Sequence, residues 1–113
     1  MSRQSSAITG LPEAPAALLR ELGGHIRNAR KIRRLSMEEL AGRALTSRET
    51  LRRLERGWPG VSIGTLAHVL WVLGLESNLG ALASPAADPH GRARLEMNLP
   101  KRIRKRRETK YDF

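Results

Sequence analysis

The chain has 113 residues, a formal charge of +10, 40% apolar residues and only 4% aromatic ones. That length suits one small domain with extra sequence, and the charge favours a polyanionic partner: nucleic acid first, an anionic membrane or acidic protein second. There is no cysteine, no run approaching a membrane span of ~18 apolar residues, and no signal-like apolar core in residues 1–10, so disulfides and thiolate metal sites are excluded and a soluble cytoplasmic protein is expected.

Three zones follow one another. Residues 1–14 are Ser/Gly/Pro-rich and weakly patterned, as in a flexible arm. Residues 15–83 carry the helical periodicity and predict an all-α domain of five helices. Residues 84–113 hold three of the six prolines and +5 of the net charge, a basic C-terminal extension.

The first helix is predicted to start near Pro15 and to turn Leu18, Leu22, Ile26, Ala29 and Ile32 inward, with Gly23 and Gly24 as weak points. The second opens at "SMEE", where Ser36 and Glu39 have capping-box spacing, and buries Leu40, Ala41 and Ala44. The third lies in "ALTSRETLRRLERG" (44–57), capped by Thr46 or Ser47 and stopped by Gly57. On a wheel of this helix Leu51 and Leu54 face inward. Arg52, Arg56 and Glu49 face away, Arg48 and Arg53 flank them, and Glu55 sits at the edge of the apolar side. Glu49 and Arg53 have the favourable i,i+4 order. The fourth helix, from Ser62 to Gly74, is apolar on more than one side. Leu66 and Leu70 belong to its core face, and Val69, Trp71, Val72 and Leu75 form a candidate dimer interface. A short fifth helix covers about Glu76 to Ala83. A helix capped by Asp88, with Pro89 in its first turn, is predicted in the extension.

The order of short helix, turn of about four residues and second helix with a polar N-terminal half matches helix-turn-helix geometry, in which the second helix enters the DNA major groove. Arginine suits the O6/N7 edge of guanine, glutamate accepts from cytosine N4, and Ser or Thr contacts base or phosphate. The competing account is a solvated face held by ion pairs. Trp58 in "GWPG" reads as a packed loop aromatic, and His25, His68 and His90 are isolated. With no phosphate-loop glycines and no clustered His and carboxylates, an enzyme, a metal site or a cofactor is not expected.

Residues 18–75 resemble the Xre/Cro-repressor-like helix-turn-helix family. The likeness rests on "LS-x-EELA…SRETL-x-x-LE-x-G" followed by "S-x-x-TL-x-x-x-L-x-x-LG". It implies a lambda-repressor-like five-helix domain. It places base or phosphate contacts on Ser47, Arg48, Glu49, Thr50 and Arg53. Arg52, Arg34 and Met37 join them at the DNA backbone, and Arg30 forms an ion pair with Glu55 that presents a guanidinium edge there. Three positions depart from the family pattern: Met37 stands where glutamine is frequent, and Leu45 and Arg34 stand where glycine is frequent.

The ending "LPKRIRKRRETKYDF" offers Lys101, Arg102, Arg104, Lys105, Arg106 and Arg107 to phosphates, or these with Tyr111 and Phe113 to a protein. Together with "LGALASPAADPHG" it is similar to HipB-type antitoxins, which are paired with HipA-like kinase toxins. The implied protein is a homodimeric, nucleoid-associated repressor of its own operon that binds a palindromic operator and such a toxin. A stand-alone Xre-type regulator is the nearest alternative, and a basic RNA-binding or scaffold protein is the more distant one.

Overall fold

The computed structural model describes residues 6–98, and among these every regular element is helical. The chain divides into two units, one ending at Glu76 and the other beginning at Ser77. Sequence patterning alone places the boundary later, after Ala83.

The first unit contains α1 (Ser6–Thr9), α2 (Glu13–Ile32), α3 (Met37–Arg43), α4 (Arg48–Glu55) and α5 (Ile63–Leu73). Helix α2 packs on α4 and α5, and so does α3 on the same pair. Their shared core is Ile26, Leu40, Ala41, Ala44, Leu51, Leu54, Val69, Leu70 and Leu73, each less than a tenth exposed. The stretch expected as an arm contains α1 and the first residues of α2.

The starts of α3, α4 and α5 follow their side-chain caps, whereas α2 starts after Pro12 without one. Ser36 Oγ accepts the Glu39 amide at 3.0 Å while Glu39 Oε1 accepts the Ser36 amide at 2.8 Å, the reciprocal box that the spacing predicts. Ser47, rather than Thr46, caps α4, and Ser62 caps α5. The four helix ends share one device. After α2, α3, α4 and α5 a residue of positive φ is followed by an amide that reaches back five residues, as in the Schellman motif. Gly57 and Gly74 supply the positive φ after α4 and α5; Arg34 (φ 55°) and Leu45 (φ 56°) supply it after α2 and α3.

Several expectations change. Leu18 and Ile32 are 62% and 77% exposed, not inward. The buried stripe of α2 runs through half-buried Leu19 and Leu22 to Gly23, Ile26 and Arg30. A glycine and a charged residue therefore complete it, and they rotate its centre away from the face that apolar counting selects. Gly23 is buried because α4 ends on it: a Cβ there would lie 2.5 Å from the Glu55 carbonyl oxygen. Val69 is fully buried, so it belongs to the core and leaves the candidate dimer face. Its position on α5, between α2 and α3, makes it a central contact and not a rim one. Leu66 is only half-buried.

The second unit holds α6 (Ser77–Gly80), a 3-10 turn (Pro85–Ala87) and a helix over residues 89–98. Helix α6 is shorter than the predicted fifth helix. Asp88 Oδ1 accepts the Gly91 amide at 2.9 Å, so the expected Asp88 cap is present.

Candidate nucleic-acid interface

The polar face of α4 is its exposed face. Leu51, Leu54 and Glu55 are buried, whereas Ser47, Arg48, Glu49 and Arg53 are exposed, and Thr50 and Arg52 are half-buried. This division follows from two leucines three residues apart, which fix the helix on α2 and α3 and leave its polar residues outside.

The exposed side chains are held by each other. Arg52 donates to both oxygens of Glu49, Nε to Oε1 at 3.0 Å and Nη2 to Oε2 at 2.8 Å. Arg53 Nε donates to the same Oε2 at 3.1 Å, which is the predicted i,i+4 pair. These guanidinium groups hold the Glu49 carboxyl below the usual carboxylate range, Arg52 first among them, and Glu49 in turn raises Arg52. Arg53 also lies over the Trp58 ring, its Cζ 4.9 Å from the centroid. Trp58 is half-buried and packed against Gly60, where a Cβ would fall 2.5 Å from the ring, so it is a loop anchor as its setting suggests. Arg48 reaches back to Glu38 of α3 at 3.7 Å. Ser47 Oγ donates to Thr50 Oγ1 at 2.9 Å and accepts the Thr50 amide at 3.0 Å.

Beneath this surface lies the ion pair that the family resemblance implies. Arg30 Nε and Nη2 donate to Glu55 Oε2 and Oε1 at 2.8 and 3.1 Å, and Nη1 donates to the Leu35 carbonyl at 3.0 Å. The side chains are 10% and 4% exposed. The Glu55 hydrogen bonds raise Arg30 above its ordinary value, against the effect of burial. One guanidinium thus ties the end of α2, the loop after it and the end of α4 together. No buried side-chain nitrogen or oxygen among the described residues lacks a partner.

Two clefts flank the charged face. One, of about 230 Å³, is lined by Arg27, Arg30, Met37, Arg52, Glu55 and Arg56, which brings Met37 beside Arg30 and Arg52. The other, of about 550 Å³, gathers Arg20, Arg52, Arg53 and Arg56 around Trp58 and Pro59. Arg34 lines neither cleft; it is exposed at the turn after α2. Arg20 and Arg27 escape the sequence reading. They stand seven residues apart, on one flank of α2, and that i,i+7 spacing is the available signal. Among the described residues no His, Asp or Glu cluster could hold a metal ion, and no helix is long and apolar enough to cross a membrane.

On α5, Trp71 is 64% exposed and Val72 half-buried, and Leu75, just past the end of the helix, is half-buried as well. Lys101, Arg102, Arg104, Lys105, Arg106, Arg107, Tyr111 and Phe113 lie outside the described residues. No protein-family model, curated protein or solved structure matches the chain.

Proposed function

We propose that this chain is a lambda-repressor-like helix-turn-helix protein that binds double-stranded DNA by sequence, with α4 as its reading helix. One observation carries the proposal: immediately after a short helix and a four-residue turn, α4 offers exposed Arg48 and Glu49 and half-buried Thr50 on its N-terminal half, with exposed Arg53 one turn further along. That half is the part of a helix-turn-helix that meets base edges. Arg20, Arg27, Arg52 and Arg56 of the two clefts flank it, and cations beside a groove-inserted helix serve the phosphates. Met37 presents no side-chain donor, so its expected phosphate contact reduces to the backbone amides at the start of α3.

As a homodimer joined through Trp71 and Val72 of α5 and Leu75 just beyond it, it binds a palindromic operator and represses transcription of its own operon. The resemblance to HipB-type antitoxins adds a HipA-like kinase toxin as protein partner, with residues 101–113 as its docking segment.

Selection from a randomised duplex library, followed by anisotropy titration, tests the DNA reading. Arg48→Ala or Arg53→Ala is expected to cost ~1–3 kcal/mol on the selected site and to relax base preference at one position. Binding of both variants with the parent's affinity and preference would sink the assignment of α4.

A further inference from the structure

The arginine that can read a base most sharply is the one whose fork is already fixed before DNA arrives. We infer that Glu49 is a positioning residue, which together with Trp58 holds the Arg53 guanidinium in place for a guanine, and is not itself a base reader. The inference rests on α4 being the reading helix, and it changes the role that family resemblance gives to Glu49.

The hydrogen-bond inventory of Glu49 leaves little for a base. An ionised carboxylate offers about four lone-pair sites. Three are taken here: one on Oε1 by Arg52 Nε, and two on Oε2 by Arg52 Nη2 and Arg53 Nε. Those guanidinium groups, Arg52 first, hold the carboxyl below the usual carboxylate range and so favour its ionised form. Releasing it toward cytosine N4 breaks charge-assisted bonds in exchange for one neutral donor.

Arg53 shows the complementary pattern. Its Nε is spent on Glu49, and its planar group lies over the Trp58 ring. Two contacts of different kinds, an in-plane hydrogen bond and a face contact, fix both the position and the tilt of the guanidinium plane. The Nη1/Nη2 edge makes no hydrogen bond among the described residues. That edge is the fork that matches guanine O6 and N7. Arg52 spends its Nε/Nη2 edge on Glu49, which also occupies one nitrogen of its Nη1/Nη2 edge, so it offers no free fork to a base and is left to the phosphates. Glu49 also places one negative charge on a face that approaches a polyanion. This lowers affinity for any duplex and leaves discrimination to the fixed fork.

The test uses the full chain and a randomised duplex library, comparing parent, Glu49→Ala and Trp58→Phe. The parent is expected to prefer guanine at one position by about 5- to 150-fold. Glu49→Ala should bring that preference close to unity while binding unrelated duplex more tightly than the parent, and Trp58→Phe should weaken the preference without that gain. In a Trp71→Phe background, Trp58 emission should change when Glu49 becomes alanine, because Arg53 leaves the ring. Thermal unfolding of each variant separates positioning from a general loss of structure. An unchanged guanine preference together with unchanged Trp58 emission would overturn the inference. So would loss of a cytosine preference with the guanine preference intact, which marks Glu49 as a reader. A parent that binds no duplex overturns the assignment of α4 and the guanine claim with it; the Trp58 emission then still decides whether Glu49 holds Arg53.

Discussion

Arg30 and Glu55 form a buried pair in which each guanidinium nitrogen and each carboxylate oxygen has a hydrogen-bond partner, and their value depends on the comparison made. Two charges taken from water lose hydration that their attraction roughly restores, so the pair is a weak source of net stability. Breaking it is different. Arg30→Ala takes from Glu55, whose side chain is 4% exposed in the intact pair, both of its hydrogen-bond donors, and Glu55→Ala leaves Arg30 bound only to the Leu35 carbonyl. Either single change should cost about 3–5 kcal/mol in urea unfolding. Combining Arg30→Met with Glu55→Leu replaces both charges by apolar side chains and should recover most of that loss. A double variant no more stable than the singles would show that the pair's geometry, and not charge compensation, holds α2 to α4. The pair is legible in the sequence only through family resemblance. On wheels of the two helices both residues sit at the margin of the apolar stripe, where charge normally means solvent.

At the scale of the helix, the glycines of α2 separate two causes that composition cannot. Gly23 touches the last turn of α4, and Gly24 faces open space. Gly23→Ala must push backbone from backbone and should destabilise by at least about 2 kcal/mol, within the overpacking range. Gly24→Ala meets nothing and should stabilise by about 0.5–1 kcal/mol. Equal effects in thermal unfolding would contradict the close approach of α2 to α4. The turn after α3 gives the reverse case. Leu45 holds φ 56° and is 79% exposed, so its side chain returns little for the strain. Leu45→Gly relieves ~1–2 kcal/mol of left-handed strain and loses part of it to the unfolded chain. A rise in melting temperature of roughly 4 °C is expected; a fall would mean that the Leu45 side chain packs.

What the sequence makes legible is local. Caps at Ser36, Ser47 and Ser62, stops at Gly57 and Gly74, and the inward Leu51 and Leu54 each depend on residues within one or two turns. What it hides depends on a neighbouring helix. Counting the stripe of α2 from apolar residues alone turns Leu18 and Ile32 inward, although Gly23 and Arg30 complete it. Val69 reads as outward because α5 is apolar nearly all round, and periodicity cannot choose a face on such a helix. Within the site, i,i+4 spacing pairs Glu49 with Arg53 alone and hides the Arg52–Glu49 fork, whereas the carboxylate accepts from both arginines.

For the whole molecule the charge distribution sets the last prediction. Half of the net +10 lies in residues 84–113, while the proposed readers lie in α4. Base preference and electrostatic affinity should therefore come apart. Each phosphate neutralised contributes about −0.9 to the slope of log K against log salt, so three contacts from the six cations of residues 101–107 would add nearly −3. Deleting residues 101–113 should make the slope shallower by about that amount. The base preference selected from a duplex library should be unchanged, because the deletion leaves Arg48, Glu49, Thr50 and Arg53 in place. A truncated chain that keeps the parent's slope but no longer binds a kinase partner would assign the tail to protein recognition. A changed base preference would place the tail in a groove beside the reading helix, since phosphate contacts position a protein without telling one base pair from another.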